Sequence, residues 1–319
     1  MLWPYLLLFF LCCAMFYFVG ELIVSSLMRI AKFLGWREFV VAFIVIAFAS
    51  SLPNLFVGIS SALQKIPQLS FGDVAGNNLV ALTIGVALAA FFARDGIPAN
   101  SRAIQTTAIF TIVSAILPLL LVLDGELSRI DALILLGFFF FYLFWLFSKK
   151  ERFSKIYDGH KIHPFKDFKN FLKDLAKIVL GILLLLVSSQ GIVKSAQFFA
   201  SNFNMSLIAI GVLITGAGST LPEIYFAIAS AKKGETWLIL GDLMGAVIIP
   251  SSLVLAIVAL ICPIKITDFS PFAIARIFVV ISALFFYFFV RSGKRVSKRE
   301  AFFLLFLYIA FLWLETLIH

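Results

Sequence analysis

The sequence has 319 residues, of which 62% are hydrophobic and 13% charged, and its mean hydropathy is +1.07. This composition excludes a disordered chain, a disulfide-rich secreted scaffold and a soluble enzyme, because a soluble fold lacks the interior to bury so much apolar surface. The net charge of +9 does not indicate nucleic-acid binding, since the lysines and arginines lie in short segments between apolar runs. We therefore predict an all-α polytopic membrane protein.

Ten apolar segments are long enough to cross a bilayer, which takes about 20 helical residues. They cover residues 3–30, 38–64, 73–93, 103–123, 130–148, 175–200, 205–231, 241–262, 270–290 and 300–317. One long polar loop divides these segments into two groups of five. The expected organisation is a first unit at 1–148, a basic loop at 149–174 and a second unit at 175–319.

Lysine and arginine are unevenly distributed between the two sets of alternate loops, with 21 of the 26 in one set. Cytoplasmic loops carry the excess of such residues. We therefore expect a multi-pass protein of the cell membrane with the loop 149–174 in the cytoplasm and both termini outside. The lipid bilayer and inorganic cations are the expected partners. Neither nucleic acid, ATP nor an obligatory protein partner is indicated, and no cofactor is expected, because nucleotide motifs and zinc-type Cys/His spacings are absent from the sequence.

The two halves resemble each other at an offset of 169 residues. This offset places Ser-Ser-Leu-Pro-Asn at 50–54 on Ser-Thr-Leu-Pro-Glu at 219–223, and then Gly-Asp-Val-Ala-Gly at 72–76 on Gly-Asp-Leu-Met-Gly at 241–245. Because each unit has five spans, an odd number, the second copy must lie upside down relative to the first. The predicted architecture is therefore an inverted repeat, which is common among secondary transporters.

Each repeat carries a proline inside an apolar span, Pro53 in helix 2 and Pro222 in helix 7. Proline removes a backbone hydrogen bond and breaks the helix, which is tolerated in lipid only where the freed carbonyls face protein or water. Hydroxyls flank both breaks. Carbonyl and hydroxyl oxygens suit hard cations such as Na⁺ or Ca²⁺, so we expect an ion site that includes Ser50, Ser51, Ser219 and Thr220.

Glu223 directly follows the second proline and lies near the middle of its span. An ionised carboxylate there costs about 2.5–3.5 kcal/mol on insertion scales, so it requires a cation, a proton or a basic partner. Lys194 is the main candidate for a structural ion pair. The symmetric position in the first repeat is Asn54, which we expect to share the site with Glu223 near the bilayer midplane.

Asp73 and Asp242 stand at the predicted starts of helices 3 and 8. They either cap those helices or contact the ions directly. Helical spacing puts Asn77 on the same face as Asp73, which makes Asn77 a further candidate ligand. The glycines of both Gly-Asp-x-x-Gly copies are expected to permit close helix packing.

With these two motifs in register, the sequence resembles the sodium/calcium exchanger family of calcium:cation antiporters. Repeats of that family typically read G-T-S-L-P-E, followed further along by G-N-x-x-G-S-N. The resemblance covers both repeats, and the ten-span layout extends it to the whole chain. It implies ion binding at the midplane and alternating access by movement of helices 1 and 6.

The chain departs from the family pattern at several site positions. In the family, the glutamate of each repeat and a later polar residue surround the central ions, whereas here Asn54 replaces one glutamate and only Glu223 remains. Ala81 and Pro250 stand at the later polar positions of the two repeats, and Asn77 and Ala246 stand in place of the motif serines. A divalent ion beside one carboxylate lacks charge compensation unless Asp73 or Asp242 contributes.

The leading functional interpretation is therefore a secondary antiporter that exchanges Ca²⁺, or another cation, for Na⁺ or H⁺. One alternative is a Na⁺/H⁺-type or proton-coupled exchanger of monovalent cations, in which Glu223 alternates between proton and cation. Another is an exchanger fold that has lost transport. An intramembrane aspartyl protease is disfavoured because Ser70 and Ile239 replace the first glycine of its G-x-G-D motif.

Overall fold

A computed structural model describes residues 2–33, 48–148, 164–234, 236–266 and 272–318. Within these ranges the chain is helical apart from four two-residue strands and the connecting turns. The helices are α1 (Leu2–Phe33), α2 (Leu52–Leu63), α3 (Gln68–Phe92), α4 (Arg102–Leu121), α5 (Arg129–Ser148), α6 (Pro164–Phe203), α7a (207–219), α7b (Leu221–Lys233), α8 (236–261), α9 (Ala273–Ser292) and α10 (Lys298–Ile318).

Eight helical stretches in the described part of the chain are long and apolar enough to cross a membrane: α1, α3, α4, α5, α6, α8, α9, and α7a with α7b as one stretch. Helix geometry suits these segments because it satisfies the backbone N–H and C=O groups within each segment. α2 is a shorter apolar helix, and residues 38–47 of its predicted span lie outside the described residues. The protein is thus a polytopic helical membrane protein, as predicted.

Three helices begin at least five residues earlier than the sequence suggested. α3 begins at Gln68 instead of residue 73, α8 at Thr236 instead of 241, and α6 at Pro164 instead of 175. Asp73 and Asp242 therefore lie within the second turn of their helices. Of the two alternatives for these aspartates, capping is therefore excluded, because the residues before them are themselves helical.

Four short strands join loops at the two ends of the helix bundle. β1 (Ile97–Pro98) pairs antiparallel with β4 (Arg295–Val296), and β2 (Glu126–Leu127) pairs antiparallel with β3 (Ile264–Lys265). The first pair joins the α3–α4 loop to the α9–α10 loop. The second joins the α4–α5 loop to the α8–α9 loop. Two-residue strands carry too little periodicity to be predicted from the sequence.

α3 and α8 are the most enclosed of the eight spans, whereas α1, α5 and α6 leave large apolar side chains exposed on their outer faces. Exposed apolar side chains are what a lipid-facing surface requires. The candidate site residues lie on or beside the two enclosed helices, in the interior of the bundle.

α3 and α7a approach each other backbone to backbone. A Cβ atom at Gly72 would meet the carbonyl oxygen of Ile208, and one at Gly76 would meet that of Val212. Glycine is therefore required at both positions, as predicted. For their counterpart Gly241, no heavy atom of the described residues stands within 4 Å of such a Cβ. Residues 39–43, the sequence counterparts of 208–212 at the 169-residue offset, lie outside the described ranges.

Candidate ion-binding site

Each proline motif interrupts its helix just before the proline. The regular helix is interrupted at Ser51 and at Thr220, and Pro53 and Pro222 then lie in the first turn of α2 and α7b. Proline is tolerated in that turn, where its missing N–H has no intrahelical acceptor. The backbone angles stay in the right-handed helical region, with φ −78° and ψ −4° at Ser51 and φ −85° and ψ −5° at Thr220. The predicted breaks are thus narrow kinks.

Two π-helical turns occupy matching places in α3 and α8. They cover Ala81–Gly85 and Pro250–Val254. A third π-helical turn, without a described counterpart, covers Gly211–Thr215 in α7a. The first two begin 169 residues apart, at the positions where the family pattern has its later polar residues. Short π-helical turns are frequent at functional sites because they displace backbone carbonyls from the regular ladder.

Asn54, Asp73 and Ser219 form one hydrogen-bonded cluster. Nδ2 of Asn54 donates to Oδ2 of Asp73 at 3.1 Å and to Oγ of Ser219 at 3.0 Å. Oγ of Ser219 in turn donates to Oδ1 of Asp73 at 3.1 Å. All three side chains are buried. The cluster brings the kink before α2, the kink before α7b and the interior of α3 to one place.

Ser50 and Asp242 form the corresponding contact on the other side of the site. Oγ of Ser50 lies 3.5 Å from Oδ1 of Asp242, and both residues are buried. This pair is the Ser219–Asp73 pair with the two repeats exchanged, since 169 residues separate Ser50 from Ser219 and Asp73 from Asp242. The second carboxylate oxygen of Asp242 has no hydrogen-bond partner among the described residues.

Glu223 is fully buried, and neither of its carboxylate oxygens has a hydrogen-bond partner in the described part of the chain. The same holds for Oδ1 of Asn54. Asp242 and Asp73 both lie within electrostatic range of Glu223. Because an unpaired buried carboxylate is costly, this group of oxygens has the chemistry of a site completed by a cation or a proton.

The alternative to an ion site at Glu223, a structural ion pair with Lys194, does not form among the described residues. Lys194 is exposed and lines a surface groove between α1 and α6 with Leu8 and Gln190. No ion pair joins a lysine or arginine to Asp73, Glu223 or Asp242 among the residues that the structure describes. Within the same ranges no three His, Cys, Asp or Glu side chains come close enough together to hold a metal ion by themselves. Any ion must therefore take backbone, hydroxyl or amide oxygens as well.

Asn77 and Thr220 link the site to the helices around it. Oγ1 of Thr220 donates to Oδ1 of Asn77 at 2.9 Å, and Nδ2 of Asn77 donates to the carbonyl oxygen of Ala246 at 2.6 Å. Ser51 is also buried beside the first kink. All nine residues predicted for the site are therefore buried. Each of them lies in one of two places, either at a motif kink or on the facing sides of α3 and α8.

Sequence reasoning missed a second polar pair between α3 and α8. Nδ2 of Asn78 donates to Oγ of Ser251 at 2.7 Å, and Oδ1 of Asn78 has no partner among the described residues. The available signal was that Asn78 adjoins Asn77 and that Ser251 adjoins Pro250 in otherwise apolar spans.

These features define a helical membrane transport protein with an enclosed, oxygen-rich site at interrupted helices. The family model for sodium/calcium exchanger protein matches residues 4–148 and 173–317, which is most of the chain. The chain belongs to the sodium/calcium exchanger family. It is accordingly a cation antiporter in the general sense, and not an enzyme.

Curated relatives cover most of the chain at modest identity. The sodium/calcium exchanger MaX1 of Methanosarcina acetivorans is 24% identical, over 92% of this chain and 93% of its own. The inner membrane protein YrbG of Escherichia coli is 26% identical, over 79% and 78%. A putative antiporter, CaxA of Alkalimonas amylolytica, is 27% identical, over 73% of each chain.

A solved structure of the sodium-calcium exchanger NCX_Mj, soaked with Na⁺ and Sr²⁺, superposes on this chain with a TM-score of 0.68. The match covers 97% of this chain and 98% of the other, at 22% sequence identity. At that identity the likeness establishes the fold.

Proposed function

We propose that this protein is a secondary antiporter that exchanges Ca²⁺, or another cation, for Na⁺ or H⁺ at the site around Glu223. The observation that carries the proposal is the state of Glu223, a fully buried carboxylate whose oxygens have no hydrogen-bond partner in the described part of the chain. A cation supplies the missing charge and the missing ligand at once. The names of MaX1 and NCX_Mj, both sodium/calcium exchangers, support this choice of ions.

Asp73 supplies the carboxylate that the first repeat lost at Asn54. The family's repeats typically have a glutamate at the end of the first motif and an asparagine after the first glycine of the second motif. The first repeat of this chain has Asn54 and Asp73 at those two positions, so the carboxylate and the amide have exchanged places. The 3.1 Å hydrogen bond from Nδ2 of Asn54 to Oδ2 of Asp73 supports this proposal, because the exchange moves the negative charge only between two side chains in direct contact. We infer that each repeat still contributes a carboxylate to a shared site near the bilayer midplane.

Charge balance supports a divalent cation over an isolated monovalent one. Asp73, Asp242 and Glu223 are buried without a basic partner among the described residues. Calcium takes six to eight oxygen ligands and tolerates mixtures of carboxylate, carbonyl and hydroxyl groups. In this proposal Ser50, Ser51, Ser219, Thr220 and Asn77 complete the coordination or position the groups that do.

An inverted repeat of five helices each is the proposed architecture behind this site. The reciprocal pairs support it: Ser219 with Asp73 and Ser50 with Asp242, and β1 with β4 and β3 with β2. Exchanging the two halves of the chain turns the Ser219–Asp73 pair into the Ser50–Asp242 pair, and the β1–β4 pair into the β3–β2 pair. In this proposal residues 1–148 and 175–319 are the two repeats, and alternating access occurs by movement of α1 and α6.

The proposed orientation has both termini outside the cell and the basic segment 149–174, of which 164–174 form the start of α6, in the cytoplasm. Loops predicted on the same side do meet: the α3–α4 loop pairs with the α9–α10 loop, and Nε2 of Gln68 donates to the carbonyl oxygen of Lys265 at 3.1 Å on the other side. Residues 149–163 of the basic loop lie outside the described residues.

Proton coupling is the second candidate, and one observation favours it. Glu223 lies within electrostatic range of two further buried carboxylates, and like charges close together disfavour full ionisation when no cation is bound. A proton on one of them would then neutralise the empty site. On this alternative the exchanged pair is a monovalent cation and H⁺.

Ion flux into proteoliposomes tests the proposal. The purified protein is reconstituted and offered Ca²⁺, Na⁺ or K⁺ against each opposing ion gradient, at several pH values. Ca²⁺ uptake driven by a Na⁺ or pH gradient is expected, and Glu223→Gln should abolish it. Exchange of Na⁺ or K⁺ for H⁺ without Ca²⁺ uptake would establish the alternative, and absence of flux with every ion pair would indicate an exchanger fold without transport.

A further inference from the structure

A basic cavity lies at the end of the helix bundle that carries β1 and β4. Its volume is about 850 Å³, which is within the range of small-molecule sites. None of the nine candidate ion ligands lines it. The cavity is lined by residues of three connections: the one between α3 and α4, the one between α7b and α8, and the one between α9 and α10. The charged lining residues are Arg94, Asp95, Lys232, Lys233, Lys294 and Arg295.

We propose that this cavity binds a phosphate-bearing anion, either the headgroup of an anionic phospholipid or a free polyphosphate. Five basic side chains line the cavity against one carboxylate. None of the five forms an ion pair within the described part of the chain. Glu235, which follows Gly234 in sequence, lies outside the described residues, and its charge still leaves the lining segments positive.

The fold holds these cations together in spite of their mutual repulsion. The β1–β4 pair places Arg295 beside Pro98, and the backbone N–H of Ala99 donates to the carbonyl oxygen of Lys294 at 2.7 Å. On the third connection, Nζ of Lys232 stands 4.6 Å from the ring centroid of Phe92. Backbone pairing and a cation–π contact thus fix the arrangement, and a bound anion supplies the countercharge that these contacts lack.

The chemistry of the lining selects phosphate over a simple counterion. Arginine forms paired hydrogen bonds to phosphate oxygens, and lysine adds point charges that several oxygens can share. Thr236, the first residue of α8, also lines the cavity, and the dipole at a helix N-terminus favours an anion. The cavity lies at the ends of membrane-spanning helices, where phospholipid headgroups are available.

The competing explanation is that these residues only set membrane orientation. An orientation signal needs basic residues on one side of the membrane, in any arrangement. It does not need three separate connections to converge on one cavity. A variant that removes basic residues at the same end of the bundle but outside the cavity therefore distinguishes the two explanations.

The test measures the melting temperature of the purified full-length protein in detergent during titration with dioctanoyl phosphatidylglycerol, dioctanoyl phosphatidylcholine or inorganic tripolyphosphate. Two variants, Arg94→Gln/Arg295→Gln and Lys232→Gln/Lys233→Gln, each remove two cavity charges. The control Lys298→Gln/Arg299→Gln removes two exposed charges at the same end of the bundle that do not line the cavity.

We expect one of the two phosphate-bearing anions to raise the melting temperature, and each cavity variant to weaken that response about tenfold in concentration while the control keeps it. A response to phosphatidylglycerol alone identifies a lipid headgroup site, and a response to tripolyphosphate identifies a site for soluble phosphate. The proposal is overturned by no response to either anion, by an equal response to phosphatidylcholine, or by an equal loss in the control variant. A loss of ion flux in the Glu223→Gln variant leaves this outcome untouched, because the two sites share no residue.

Discussion

The side-chain amide of Asn77 donates a hydrogen bond of 2.6 Å to the backbone carbonyl of Ala246, the residue 169 positions further along the chain. That separation is the offset that aligns the two motif copies, so α3 and α8 touch at equivalent positions. Asn77 also accepts a hydrogen bond from Thr220, and its amide is therefore engaged at both ends. It holds the two central helices and the second kink in register around the carboxylates.

Replacing Glu223 by glutamine should abolish ion exchange while the protein still folds. Glutamine keeps the side-chain shape, and removing a buried charge should leave the cation-free protein at least as stable as the wild type. Stabilisation by a ligand grows with its concentration over the dissociation constant, to about 2.7 kcal/mol at a hundredfold excess. The measurement is the melting temperature with and without Ca²⁺ or Na⁺, where the variant should lose the response.

The matched control for that variant is Glu126→Gln, which removes an equally charged side chain in a loop, 4.0 Å from Lys265. It should keep the response to both ions. If Glu223→Gln instead retains the wild-type responses, the central site lies elsewhere, most directly around Asp73 and Asp242.

Replacing Asn54 by glutamate should strengthen Ca²⁺ binding and destabilise the cation-free protein. The variant restores the second motif carboxylate of the family, but it removes the donor that Asn54 presents to Asp73 and sets two carboxylates against each other. Loss of such a buried hydrogen bond costs about 1–3 kcal/mol. The melting temperature without Ca²⁺ should therefore fall, and the increase on adding Ca²⁺ should grow.

The double variant Asn54→Glu/Asp73→Asn tests whether the carboxylate and the amide are interchangeable. It reverses donor and acceptor across the same contact, so the cation-free stability should return towards that of the wild type. A double variant no more stable than Asn54→Glu alone would contradict the inferred exchange of roles between the two residues.

Gly76→Ala should destabilise the protein because the new methyl group would meet the carbonyl oxygen of Val212. The backbones of α3 and α7a must then separate, at a cost of about 1–3 kcal/mol. Gly137→Ala is the control, since Gly137 is an exposed residue of α5 with no heavy atom of the described residues within 4 Å of its Cβ position. Thermal unfolding of both variants makes the comparison, and equal melting temperatures would refute the close approach.

Arg29→Gln should destabilise the packing of α1 against α6. Nε and Nη2 of Arg29 donate to both carboxylate oxygens of Asp174 at 2.8–3.0 Å, and Asp174 is only 4% exposed. Removing the guanidinium leaves that carboxylate without its main partner, at a cost of roughly 1–3 kcal/mol. Lys177→Gln, which removes an exposed amine 3.6 Å from the same carboxylate, should cost much less. Adding Asp174→Asn to Arg29→Gln should recover stability, as measured by thermal unfolding.

The membrane orientation is testable with single cysteines in a background where Cys12, Cys13 and Cys262 are replaced. Ser201→Cys, exposed near the turn between α6 and α7a, should react with a membrane-impermeant maleimide added to intact cells. Lys161→Cys, in the predicted cytoplasmic loop, should react only after the cells are opened. Labelling of Lys161→Cys from outside would overturn the proposed topology.

Much of the fold followed from local chemistry along the chain. Apolar runs without internal charge have to be helical in lipid, so most of the predicted spans coincide with observed helices. The kinks followed from Pro53 and Pro222, since a proline limits its own helix wherever that helix packs. Helix starts were less predictable: Asp73 resembles a cap, but five helical residues precede it, and α3 begins at Gln68.

The sequence by itself determined the candidate oxygen ligands of the two motif copies and the common register of those copies, because both are properties of residue type and spacing. Only the tertiary structure decided their partners. It set Asn54 against Asp73, left Glu223 without a partner among the described residues and placed Lys194 on the surface. It also gathered basic side chains from three connections into one cavity. Such contacts join segments far apart in sequence, and they depend on how helices pack, which the periodicity of any single helix does not encode.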